Sequence, residues 1–99
     1  MATFFWKLIP PRPTFAQDMS EAEAHLMQEH ASYWQAWRAT GHVVAFGLVA
    51  DPKGAYGIGI AEFETEAEVQ AFRAGEPTLR ANVGFRLEAY PMPRGVVHG

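Results

Sequence analysis

The chain has no cysteine. That excludes disulfide bridges, thiolate nucleophiles and cysteine metal sites, and it fits a reducing, cytoplasmic setting. Long apolar runs are missing as well. No stretch approaches the roughly 20 residues that a membrane-spanning helix needs, so no membrane partner is expected. Positive charge is scarce: eight Lys and Arg stand against eleven Asp and Glu, for a net charge of −3. The basic residues are scattered and form no stripe to neutralise phosphates, so nucleic acid is not an expected partner. No metal site is expected either. HLMQEH is not a metalloprotease motif, because His25 and His30 are five residues apart and so roughly 140° apart around a helix. The glycines of GAYGIGIAEF lie inside a strand pattern, not at the strand-to-helix turn that cradles phosphate. No cofactor is expected.

What is present reads as one domain. Ninety-nine residues, 48% apolar and 19% charged, are ordinary for a single globular unit. The domain is assigned to residues 1–99, with a core over about 3–93 and a loose tail in the last six. Aromatic residues reach 13%. Three tryptophans and seven phenylalanines exceed what one small core usually needs, which leaves some for a pocket wall or a subunit interface.

Thr3 to Ile9 is β-branched and aromatic enough for a strand and stops at Pro10, Pro11 and Pro13. The apolar N-terminus reads as this strand rather than a signal peptide, since no basic region precedes it. Thr14 to Gln17 reads as a loop. A helix follows over about Ser20 to Thr40, opened by Asp18 and Ser20 with Glu21 and Glu23 three residues on, and closed by Gly41. Met19, Leu26, Met27, Tyr33, Trp34 and Trp37 share one stripe of it, with His30 at the centre. His42 to Ala50 is a second strand and Ala55 to Phe63 a third, joined by the type I turn chemistry of Asp51-Pro52-Lys53-Gly54. Thr65 and Glu68 open a short helix that ends near Gly75, and Pro77 prevents its continuation. Residues 83–90 alternate like a half-exposed strand.

The order βαββαβ predicts an α+β, ferredoxin-like fold: a four-stranded antiparallel sheet with two helices on one face. The other sheet face is also apolar. A monomer would expose it, so a homodimer packed sheet against sheet is expected.

His30 on a buried helix face needs a hydrogen-bond partner, because a buried unpaired polar group costs about 1–3 kcal/mol. Two readings stand: a satisfied core histidine, or a general acid–base group oriented by a carboxylate. Asp51, at the exit of a central strand, is the carboxylate expected to orient it, although Asp before Pro is also ordinary turn chemistry. Gly47, Gly57 and Gly59 remove side chains from neighbouring strands. That leaves either a bulge and a close helix approach, or room for a ligand beside His30, with Tyr33, Trp34, Trp37 and Trp6 as walls. The acidic run Glu62, Glu64, Glu66 and Glu68 reads as a solvated surface, and His25 with Glu29 as a solvated pair.

Four features occur together: a His in the first helix (His30), GHVVAFGLVADPKGAYGIGIAEF, an acidic helix start, and a last strand running into YPMP (Tyr90 to Pro93). In this the chain resembles the YciI-like, or YCII-related, domain family over about residues 3–93. The resemblance implies a dimeric α+β barrel and a His-Asp dyad that maps onto His30 and Asp51. A related dehydrochlorinase acts on a chlorinated hydroxyquinol. Gly47-Leu48 stands where the family usually has Gly-Pro, and the Pro10–Pro13 loop is longer than the family pattern implies.

The function expected from these readings is proton transfer without a cofactor, as elimination or isomerisation, on a small cyclic or aromatic molecule. His30 would move the proton and Asp51 would hold its tautomer. A non-catalytic dimeric module that binds a small ligand or a protein is the alternative. A cofactor-independent monooxygenase shares the fold but has less support from these residues.

Overall fold

The computed structural model describes residues 2–94. Its strands are β1 (Ala2–Ile9), β2 (Val43–Val49), β3 (Tyr56–Phe63) and β4 (Arg86–Pro91). Its helices are α1 (Phe15–Asp18), α2 (Glu21–Ala39), α3 (Glu66–Gly75) and α4 (Pro77–Arg80). The sheet runs β2-β3-β1-β4 with every neighbouring pair antiparallel. This is the expected ferredoxin-like sheet, with two short helices added. One of them, α1, lies in the segment read as a loop. Most of the tail falls outside the described residues.

The helix boundaries follow from their caps. The Ser20 hydroxyl accepts from the Glu23 amide while the Glu23 carboxylate accepts from the Ser20 amide, a reciprocal pair that starts α2. Thr65 caps α3 by accepting from the Glu68 amide, but the Glu68 carboxylate accepts from Glu64 instead of closing the box. The other oxygen of Glu68 meets His42 Nε2 at 3.0 Å. Glu68 is therefore not the freely solvated acid expected: it ties the end of α2 to α3. The Glu64 amide and then His42 hold its carboxyl below the ordinary range.

The aromatic surplus goes first into the core. Trp6, Trp34, Phe63 and Phe72 are all nearly or fully buried. Phe72 is the hub, with ring centres 4.8 Å from Trp34, 5.0 Å from Trp6 and 5.3 Å from both Trp37 and Phe63. Most of these contacts are edge-on, the arrangement that aromatic quadrupoles favour, worth about 0.5–1.5 kcal/mol per pair beyond burial.

Period-two alternation sends Phe4, Trp6 and Leu8 of β1 toward the helices, opposite Ala61, Gly59 and Gly57 of β3. In β2 the pairing slips between Val43 and Ala45, leaving Val44 as an extra residue. The bulge puts Val43 on the same face as Phe46 and Leu48, which simple alternation had separated. The opposite face carries Phe5, Val49, Tyr56, Ile58 and Ile60, paired in register, and no helix of the described residues covers it.

The proline-rich segment after β1 is held by one side chain. The Arg12 guanidinium binds both Glu23 carboxylate oxygens at 2.8 Å and reaches Asp18 Oδ1 at 2.8 Å. Arg12, with help from the Ser20 amide, holds the Glu23 carboxyl down to about 2 from an ordinary 4.5. The Thr14 hydroxyl and then Arg12 lower that of Asp18. Both groups are depressed in the folded state. Their stabilisation is complete above their unfolded values and is lost as pH falls through the folded ones. Thermal stability should therefore drop between about pH 4.5 and pH 2. In Arg12→Gln the drop over that interval should be smaller, and equal pH profiles for the two proteins would refute the assignment.

Candidate functional site

A cavity of about 300 Å³ opens at one end of the sheet, beneath α2. Met27, His30, Ala31 and Trp34 form its roof. They recur at the i, i+3, i+4, i+7 spacing that puts residues on one helix face. Leu8, Phe46, Leu48 and Gly57 contribute from the strands, Phe15, Ala16 and Met19 from α1 and the residue after it, and Phe85 from the lead into β4. Pro10 brings the proline segment to the rim.

His30 is the polar centre of the roof, its side chain 14% exposed. Nδ1 lies 2.9 Å from Glu76 Oε1. Glu76 is completely buried, and its other oxygen accepts from the hydroxyl of Thr78, also completely buried. An ionised carboxylate can only accept, so with Glu76 in that form Nδ1 carries the proton, and in the neutral ring Nε2 keeps its lone pair. Nε2 has no hydrogen-bond partner among the described residues, and it is the ring nitrogen available to the cavity. Taken together, the chain presents an imidazole held from behind by a buried carboxyl group.

The orienting carboxylate is therefore not Asp51. Asp51 Oδ1 accepts from the Lys53 amide at 2.9 Å, and its carbonyl accepts from the Gly54 amide. Both bonds are turn chemistry at the β2–β3 corner. Asp51 lines a second hollow with Lys7, Lys53 and the proline segment, not the cavity under α2.

Glu76 reaches His30 because of the proline that follows it. Residues before proline avoid the helical region, and Glu76 is extended at φ −66°, ψ 120°. This ends α3, and Pro77 at once opens α4, whose first position tolerates proline well. The chain corners there, with the Glu76 side chain against α2. Proline at the start of a turn was the available signal, but in the sequence it reads only as a stop.

The remaining expected residues divide. Trp6, Trp34, Gly47 and Gly57 line the cavity. Tyr33 does not. Its hydroxyl donates to the Phe72 carbonyl at 2.7 Å and lies against Gly75, where a Cβ would sit 2.5 Å from it. Burial raises the pKa of that hydroxyl. Trp37 is half-buried and packs edge-on against Phe63 and Phe72 of the core. Gly59 leaves space for Trp34 rather than for a ligand. The indole N–H groups of Trp6 and Trp34 are buried with no hydrogen-bond partner among the described residues. Among the described residues no cluster of three or more His, Asp or Glu is placed to hold a metal ion, and no helix is long and apolar enough to cross a membrane.

Several solved structures share this architecture, these two among them. One is 5-chloro-2-hydroxyhydroquinone dehydrochlorinase (TftG) from Burkholderia phenoliruptrix AC1100, in complex with 2,5-dihydroxybenzoquinone. It is 18% identical with a TM-score of 0.55, over 86% of this chain and 90% of that one. The other is the NE2512 protein of unknown function from Nitrosomonas europaea. It is 15% identical with a TM-score of 0.59, over 99% of this chain and 95% of that one. At these identities the likeness is one of fold. No curated protein sequence matches the chain. The YCII-related domain family matches residues 3–93, nearly the whole sequence, and the chain belongs to that family.

Proposed function

We propose that the protein is a proton-transfer enzyme that relies on its own histidine. The substrate is a small cyclic or aromatic molecule held in the cavity under α2, and the reaction is an elimination or an isomerisation. The observation that carries this reading is the His30–Glu76 pair. A histidine whose Nδ1 is fixed on a fully buried carboxylate, in the roof of an apolar cavity, is arranged to accept a proton at Nε2. Glu76 then stabilises the imidazolium that forms. In an elimination, the electrons of the broken bond to hydrogen expel the leaving group, and His30 later returns the proton to solvent. In an isomerisation, His30 returns it to a second atom of the substrate.

The apolar sheet face supports a second copy of the chain as its cover. Phe5 and Tyr90 stand beside each other there, 6.5 Å between ring centres, with Tyr90 50% exposed. The homodimer expected from the sequence would bury them.

The likeness to a dehydrochlorinase sets the order of testing. Chloride release from 5-chloro-2-hydroxyhydroquinone should be measured first, then loss of halide or double-bond shifts across a panel of substituted cyclic compounds. Turnover that disappears in folded His30→Ala supports the assignment. Turnover retained in that variant removes His30 from the chemistry. No turnover on any compound, with ligands still bound, favours the binding-module reading.

A further inference from the structure

We propose that the cavity selects uncharged ligands and requires them to donate a hydrogen bond to His30 Nε2. This rests on the reading of His30 as the group that meets the substrate, and it names the substrate class that this group admits.

The lining contains no lysine, arginine, aspartate or glutamate among the described residues. Its side-chain polar groups are His30 and the two indoles of Trp6 and Trp34, since Tyr56 alternates onto the opposite face of the sheet beside Lys7. The indole N–H groups are sealed from solvent, so His30 is what a ligand's polar atoms can meet. Of the basic residues of the neighbouring hollow, Lys7, Arg12 and Lys53, two are already engaged. Arg12 is bound to Glu23 and Asp18, and Lys7 Nζ lies 4.5 Å from the centre of the Tyr56 ring. An anion entering the cavity would give up its hydration and find no cation in return.

The His30–Glu76 pair strengthens this selection. With Nδ1–H committed to Glu76, the ring offers the ligand a lone pair and not a donor. A carboxylate or phenolate oxygen would face that lone pair, with the negative charge of buried Glu76 behind it. A neutral hydroxyl or N–H satisfies Nε2 directly and places the proton where the proposed reaction removes it. A quaternary ammonium has faces of aromatic rings to rest on but no donor for Nε2. The ligand class is therefore a neutral, largely apolar ring compound with a hydroxyl or N–H group. A molecule that carries a carboxylate or phosphate is rejected.

A shape-matched series tests this by binding alone. The probes are 2-naphthol, 2-methoxynaphthalene, 2-naphthoate and 2-naphthyltrimethylammonium, titrated into the protein at neutral pH and followed by amide shifts of Met27, His30 and Trp34. The expected order places 2-naphthol first, with the two ions at least about tenfold weaker and the methyl ether weaker than the naphthol. In His30→Ala the preference of naphthol over its methyl ether should vanish, while the discrimination against naphthoate remains. Naphthoate or the ammonium binding as tightly as naphthol overturns the charge selection. A naphthol preference that survives in His30→Ala overturns the donor requirement, and no binding by any probe overturns both. Because the measurement reads binding, selectivity can fail while His30-dependent turnover stands, and turnover can be absent while selectivity stands.

Discussion

Glu76→Gln should remove most of the activity while leaving the fold in place. Glutamine keeps the shape of the side chain but brings two consequences at a fully buried position. The amide no longer specifies which proton His30 carries, because it can offer either an oxygen or an N–H to Nδ1. It also no longer supplies the negative charge that stabilises the imidazolium. Positioned acid–base groups contribute about 10²–10⁴ in rate, and the loss in kcat should fall in that range. A purely structural role for Glu76 would leave the His30 tautomer alone. The ring 15N shifts of His30 therefore separate the two accounts: a single Nδ1–H form in the wild type should become a mixture in Glu76→Gln. An unchanged tautomer with unchanged turnover would show that Glu76 does not orient the base. Thr78→Val should move the same shifts more weakly, since it removes the hydroxyl that holds the far oxygen of Glu76, and Thr78→Ser should restore them.

Gly59→Ala should be among the most destabilising single-methyl changes in the chain. A Cβ at this position would lie 2.2 Å from Trp34 Cζ3 and 2.8 Å from Cη2. Trp34 cannot step aside easily. It is 2% exposed and packed between Phe72 and Phe46, at 4.8 and 5.9 Å between ring centres. Forcing extra volume into a filled core costs about 1–3 kcal/mol. For a domain of about this size each kcal/mol lowers Tm by about 4–8 °C. The expected loss is about 4–24 °C by these ranges, with altered ligand binding because Trp34 also roofs the cavity. Adding Trp34→Phe, which trims the clashing edge of the indole, should return part of the loss. A Gly59→Ala protein with wild-type Tm would mean that the helix stands further from the sheet than described.

The sequence makes legible whatever is encoded locally. Ser20 with Glu23, Thr65 with Glu68, and the Asp51-Pro52-Lys53-Gly54 corner each carry their structure within four residues. The element order then leads to the sheet. The cavity was legible in outline, because His30 and Trp34 share a helix face by spacing alone. The partner of His30 was not. Glu76 is 46 residues away in sequence, and its one local mark, the proline after it, reads as a helix stop rather than as a site. Asp51 drew attention because it sits beside a strand end, yet a short polar side chain at a turn satisfies itself with the backbone next to it. The bulge at Val44 was hidden for a different reason. In a run as uniformly apolar as Val43 to Val49, the pattern does not mark which residue is extra.

That extra residue also bears on how the molecule meets others of its kind. β2 is an outer strand of the sheet, and its sequence is what an aggregating segment looks like: short, β-rich, uncharged and free of proline. An unbroken strand of this composition would offer its free backbone groups to any passing chain. The bulge interrupts that row after its first residue and adds local twist, so an incoming strand cannot pair along its whole length. Docking through the broad side of the sheet remains open, while edge-to-edge growth into fibres is discouraged. Deleting Val44 would take away this guard, and with it the protection of an otherwise sticky rim.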